Sequence, residues 1–159
     1  MPEAWDAAPL SLDHSARELL QVEVAALGAA LGEPEAQSRL VPLAAAVAAA
    51  SIPAECLPAL EQVLRLGLES GRIAKVHGRA ADTLARGLYA RTPTGRARDE
   101  QARAVTRALA ALGGATLTQI EVKSDGPGGH RIQICSDRGE VLLRLDREGV
   151  WVQAVAVGV

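Results

Sequence analysis

Apolar side chains recur every three or four residues over much of the chain up to residue 112, a spacing typical of amphipathic helices. A first helix is predicted near 12–31, with Ser11 or Asp13 as its N-cap and Gly32 at its end. Two shorter helices are predicted near 42–50 and 58–69. Each has a Pro near its start, where the missing N–H needs no partner.

The segment 72–91 has the clearest amphipathic pattern. One predicted face is apolar and carries Ile73, Val76, Ala80, Leu84 and Leu88. The opposite face is mostly basic and carries Arg72, Lys75, Arg79, Asp82 and Arg86. A further helix is predicted from about residue 95 to Leu112, capped by Thr92 or Thr94.

Beyond Gly113-Gly114 the apolar period changes to two, and four strands are predicted over 116–123, 130–136, 140–146 and 150–157. Short Gly-containing links join them, so the strands must be antiparallel neighbours. Strict alternation puts Val150, Val152, Ala154 and Ala156 on one face of the last strand, and Trp151, Val155 and Val157 on the other. A strand that is apolar on both faces needs another element packed on each face. The N-terminal helices or a second subunit could provide it.

The same boundary divides the composition, because Ala dominates before it and Val and Ile dominate after it. We therefore predict an α+β fold: an N-terminal helical bundle over 11–112, followed by a four-stranded antiparallel meander over 115–159. The sheet is expected to pack on the helix 95–112 in one continuous domain, with residues 1–10 as a flexible N-terminus.

Bulk composition excludes several classes of protein. The 159 residues are 48% hydrophobic and 23% charged, as in ordinary globular chains. The acidic first residues do not resemble a signal peptide, and the longest apolar run, 40–50, is too short to span a bilayer. Cys56 and Cys135 are isolated, which favours reduced thiols. These features predict a cytoplasmic chain without membrane association.

The formal net charge of -2 conceals a strong segregation of charge. Residues 1–70 are acidic, whereas residues 71–110 hold most of the basic side chains. Arg72, Arg79 and Arg86 follow one another at intervals of seven, with Lys75 among them. This stripe is a candidate surface for an acidic protein or for nucleic-acid phosphates. It is equally compatible with a solvated helix face, or with docking on the acidic N-terminal half.

A second candidate is the segment that opens the helix after residue 92. It combines hydroxyls, a Gly and basic side chains at a helix N-terminus, where a phosphate or carboxylate is favoured: Arg91, Thr92, Thr94, Gly95, Arg96 and Arg98. An ordinary capped turn between helices explains the same residues. The glycines of Gly126–His130 lie between two strands and predict a hairpin loop.

The sequence contains no recognisable catalytic or metal-binding pattern. The three histidines, His14, His77 and His130, lack ligand spacing, and we predict neither a metal nor a cofactor. His77 falls on the apolar side of its helix, which favours a hydrogen-bonded core or interface residue over a catalyst. A chemical role for Cys56 or Cys135 stays open.

Three functions follow from these patterns. The first is a non-enzymatic binding, scaffold or regulatory protein that acts as a homo-oligomer through Trp151, Val155 and Val157, with the Arg-rich helical face as its partner surface. The second is nucleic-acid binding through the basic residues of 72–98. The third is an anion-binding protein or small enzyme at Thr92–Arg98.

Overall fold

The protein has an α+β fold, here in a computed structural model that describes residues 8–157. The helices are α1 (His14–Ala30), α2 (Pro34–Ser38), α3 (Val41–Ala48), α4 (Leu57–Glu69), α5 (Arg72–Ala90) and α6 (Pro93–Ala110). Two-residue strands β1 (Leu10–Ser11) and β2 (Ser51–Ile52) pair with each other. The long strands are β3 (Leu117–Ser124), β4 (His130–Ser136), β5 (Gly139–Asp146) and β6 (Gly149–Val157). The predicted fold class is confirmed.

The local signals for helix ends agree closely with the structure. The Asp13 carboxylate accepts the N–H of Ala16 at 2.8 Å and caps α1, while Pro42 and Pro58 lie in the first turns of α3 and α4. The flexible N-terminus predicted for 1–10 lies mostly outside the described residues. At its end, Leu10 is buried and pairs with Ile52.

Helix α5 is interrupted at Gly78, and this corrects the single amphipathic helix predicted over 72–91. Gly78 has φ 84° and ψ 177°, so the backbone leaves the helical region and re-enters it at Arg79. The break shifts the angular register between the two parts. Val76, predicted on the apolar face, is 57% exposed although Ile73 in the same part is buried, and in the second part Ala85 and Leu88 are buried. Glycine makes the break possible because it adopts positive φ without a Cβ clash.

The chain divides into two compact units, the first ending at Gly95 and the second beginning at Arg96. The first unit has a core of side chains from its helices and from β1 and β2, including Leu20, Leu43, Ile52, Leu60 and Ile73. In the second unit, Ala108 and Leu112 pack with Val141 and Leu143 of the sheet.

The sheet of the second unit has the order β3-β4-β5-β6, with every pair antiparallel. Two bulges change its face assignments. On β6, Leu142 pairs with Ala154 but Leu143 pairs with Val152, which leaves Gln153 as the extra residue. On β3, the shift between Leu117 and Gln119 makes Thr118 the extra residue.

Because of the β6 bulge, the predicted assignment of side chains to the two faces of that strand is wrong. One face carries Val150, Val152, Val155 and Val157, and the other carries Trp151, Ala154 and Ala156. The valine face continues the apolar face of β4 and β5, whose middle is covered by the C-terminal end of α6. Its margins stay exposed on both outer strands, at Leu117, Ile120, Val122, Val155 and Val157.

Candidate functional site

The predicted basic stripe is not continuous, because Arg72 lies before the break at Gly78 and makes an internal ion pair. Its guanidinium binds the carboxylate of Glu23 through two hydrogen bonds: Nε to Oε2 and Nη2 to Oε1, each 3.1 Å long. Such a bidentate pair is the strongest geometry available to an Arg and a carboxylate. Arg72 therefore contacts the acidic N-terminal segment instead of contributing a free charge to the stripe.

A buried carboxylate is the centre of this cluster. Glu23 lies on α1 and is only 3% exposed, and its Oε1 also lies 2.9 Å from Nε2 of His77. A buried carboxylate requires such partners, since an unpaired charge in a protein interior is costly. His77, predicted as a hydrogen-bonded core or interface residue, is hydrogen-bonded to Glu23, and its side chain is 20% exposed.

Glycines shape the backbone around the cluster. Gly71, with φ 67°, begins α5 and turns the chain so that Arg72 meets Glu23. A Cβ at Gly67 on α4 would lie 2.6 Å from Ile73 Cδ1 and 3.3 Å from Glu23 Oε2, so only glycine allows this close approach. Gly78 ends the first part of α5 directly after His77.

An open groove of about 570 Å³ adjoins the cluster between α1 and the second part of α5. Its lining is partly apolar and partly polar: Asp13, Ser15, Glu18, Leu19, Val22, His77, Ala80, Ala81 and Leu84. His77 is the residue common to the cluster and the groove. The cluster therefore holds an imidazole ring in a fixed orientation at the wall of an accessible cleft.

The other basic residues predicted on α5 are less concentrated than the sequence suggests. Arg86 pairs with Asp82 at 2.8 Å, and Arg91 donates to the carbonyl oxygen of Ser11 at 3.2 Å. Lys75 and Arg79 lie on opposite sides of the break and are both exposed. These basic residues therefore do not form the continuous stripe that the sequence predicts, but lie as separate charges.

The N-terminus of α6 already faces an anion, the carboxylate of Glu61. Glu61 accepts the backbone N–H of Thr94 at 2.8 Å and its hydroxyl at 2.7 Å. Thr92 is fully buried; its hydroxyl donates to the carbonyl of Tyr89 and accepts the N–H of Gly95. These bonds satisfy donors that an external phosphate would otherwise use.

The remaining members of the predicted anion site, Arg96 and Arg98, belong to the second unit. Arg96 is exposed and Arg98 is partly buried. Gly95 is buried, and a Cβ there would collide with the carbonyl of Tyr89. The conformation of this segment is that of a closely packed helical cap.

The three residues predicted as an oligomer interface do not share a face. Val155 and Val157 lie on the apolar face of the sheet, while Trp151 lies on the other face and its indole N–H approaches Asp146 Oδ1 at 3.5 Å. Trp151, Val155 and Val157 are all exposed. The two valines and the indole therefore belong to different surfaces.

Nucleophilic chemistry gains no support at Cys56. Cys56 is buried in the first core, and desolvation, followed by the nearby Glu55 carboxylate, raises the pKa of its thiol. A thiol with a raised pKa is a poor nucleophile at neutral pH. Between residues 8 and 157, no group of three His, Cys, Asp or Glu residues is placed to hold a metal ion, and no helix is long and apolar enough to cross a membrane.

Sequence reasoning missed both acidic residues that organise these sites. Glu23 follows Leu19 and Leu20 at helical spacing, so a charged residue on a buried stripe is the signal that points to it. Glu61 has no comparable signal, because its contact with Thr94 spans two helices.

Comparison of the chain with models of protein families, with curated protein sequences and with solved structures gives no match. Function is therefore argued from the residues of this chain.

Proposed function

We propose that the protein is a non-enzymatic binding protein that acts as a homo-oligomer, and that two copies associate through the outer edge of β6. The observation that carries this proposal is the sequence of that edge, Gly149–Val157, which contains no charged residue and no Pro. Edge strands of monomeric proteins are usually protected by Lys, Pro, inward-pointing charges or bulges, because unpaired backbone groups otherwise recruit another strand. Strand β6 has the bulge at Gln153 but none of the other three, and its apolar valines lie on both sides of that bulge.

The other edge of the sheet supports the choice of β6. Strand β3 carries Glu121 and Lys123, joined by an ion pair of 3.0 Å on the polar face. A second copy of β6 brings no charge into the contact, and an antiparallel arrangement about a two-fold axis lets the same residues pair reciprocally. Val155 and Val157, 43% and 58% exposed, would then continue the apolar face into the partner sheet.

The basic face of α5 is still proposed as a surface for a further partner, but with fewer available charges than the sequence predicts. With Arg72 bound to Glu23 and Arg86 bound to Asp82, the exposed charges available are mainly Lys75 and Arg79. This loss of charge density disfavours the nucleic-acid alternative, because such binding grows with the number of phosphates neutralised.

Sedimentation velocity over a range of concentrations tests the proposal. The wild-type chain should convert from monomer to dimer as its concentration rises. Val155→Lys should remain monomeric, because a Lys would be placed at the contact. Val122→Lys is the matched control, an exposed valine on the other edge of the same face, and should still form dimers. A wild-type chain that stays monomeric throughout would overturn the proposal.

A further inference from the structure

We propose that the groove between α1 and the second part of α5 binds a basic amphipathic helix of a partner protein. The groove lies in the first unit and does not include β6, so this inference does not rest on the proposed self-association.

Five of the nine residues that line the groove are apolar. Leu19 and Val22 lie on α1, and Ala80, Ala81 and Leu84 lie on α5. Val22 is 47% exposed, which leaves a valine side chain on α1 in contact with water. The small alanines leave space between the helices, and a third helix that presents Leu at intervals of three and four residues would fill it.

The polar groups at the margin select for a donor-rich, positively charged occupant. The lining includes two exposed carboxylates, Asp13 and Glu18, and neither Lys nor Arg. One oxygen of Asp13 accepts the N–H of Ala16 and one oxygen of Glu18 lies 3.1 Å from His14, so each carboxylate has a second oxygen for an incoming donor. Lys and Arg side chains supply the matching donors.

The shape favours a peptide over a compact small molecule. The groove is open to solvent, and its lining comes from α1, from the second part of α5 and from the adjoining Asp13 and His77. Small ligands usually bury most of their surface in a closed pocket, whereas an amphipathic helix lays one face into an open groove. The negative margin also opposes nucleic acid. Charge and shape together therefore point to a basic helix.

Fluorescence anisotropy with a designed peptide tests the proposal. The probe is a labelled helical peptide with Leu at i, i+3, i+4 and i+7 and Lys at the flanking positions. Its controls are a scrambled peptide of equal composition and a version with Glu in place of Lys. The helical Lys peptide should bind and saturate, the scrambled peptide should bind at least about tenfold more weakly, and the Glu peptide should not bind.

Two exposed valines provide matched variants. Val22→Lys introduces a positive charge into the groove and should weaken binding at least about tenfold. Val41→Lys changes a valine that is 65% exposed outside the groove and should leave binding unchanged. Circular dichroism establishes that both variants are folded. Equal binding of the helical and scrambled peptides, equal binding by the two variants, or saturation by a simple alkylammonium ion but not by the peptide would overturn the proposal.

Discussion

The carboxylate of Glu61 on α4 accepts both the backbone N–H and the hydroxyl of Thr94, so the positive end of α6 is neutralised from within the protein. The sequence alone predicts a site for an external anion in the same segment. A charged helix N-terminus attracts an anion whichever molecule supplies it, and here a carboxylate from an earlier helix lies within reach.

Removal of this internal anion should expose the helix end. Glu61→Ala is expected to lower the free energy of unfolding by about 1 kcal/mol, and to make sulfate stabilise the variant more than it stabilises the wild type. Glu69→Ala, an exposed glutamate at the end of the same helix, is the control and should cause neither change. Thermal unfolding with and without sulfate measures both effects; equal responses of the two variants would contradict the internal role of Glu61.

The Glu23 cluster should make a larger contribution to stability. Glu23→Gln removes the carboxylate charge that faces Arg72, and we expect a loss of about 2 kcal/mol because an ion pair with a buried carboxylate is broken. Glu18→Gln breaks an exposed pair with His14 and should cost no more than about 0.5 kcal/mol. Urea unfolding of the two variants distinguishes them. Similar midpoints would show that the cluster does not hold α1 and α5 together.

Two glycines near the end of the first unit should respond to alanine in opposite ways. Gly95→Ala forces a Cβ against the carbonyl of Tyr89, and we expect a loss of about 3 kcal/mol. Gly87 lies inside α5, and a Cβ added there would meet no neighbouring group within 4 Å, so Gly87→Ala should increase stability by about 1 kcal/mol. Thermal unfolding gives the sign of each change. A harmless Gly95→Ala would contradict the close packing of the cap.

The β5–β6 turn should lose stability only at low pH. The pKa of Asp146 is lowered from its ordinary value of 3.8, first by the backbone N–H of Glu148 and further by Trp151, Gly149 and Arg144. A carboxylate with a lowered pKa in the folded protein stabilises it above the ordinary pKa, and that contribution is lost as the pH falls from 3.8 toward the lowered value.

Carboxyl carbon NMR during an acid titration measures this midpoint, and Asp146→Asn should flatten the pH dependence of stability in the same interval. A midpoint for Asp146 above 3.8 would show that the turn does not hold the carboxylate in its charged form.

Local signals in the sequence account for most of the elements. The cap at Asp13, the prolines that start α3 and α4, and the alternation in the meander each depend on neighbouring residues, and each is confirmed. The break at Gly78 is not evident in the sequence, because apolar residues recur at helical spacing on both sides of it. A single glycine is compatible with a continuous helix as well as with an interruption.

The bulge at Gln153 is a second case in which local pattern is insufficient. Alternation along β6 alone assigns Val155 and Trp151 to one face, whereas pairing with β5 assigns them to opposite faces. One inserted residue reverses every later side chain, and only the partner strand reveals it. The three residues predicted as an interface therefore lie on two faces of the sheet, although all three are exposed.

Hydrogen–deuterium exchange at low and high protein concentration tests the proposed self-association most directly, because it reports both its occurrence and its location. If two copies pair through β6, amides of β6 should exchange more slowly as concentration rises, while those of the opposite edge, β3, should exchange at an unchanged rate. Exchange in β6 that does not depend on concentration, or protection that arises at β3 instead, would contradict association through the β6 edge.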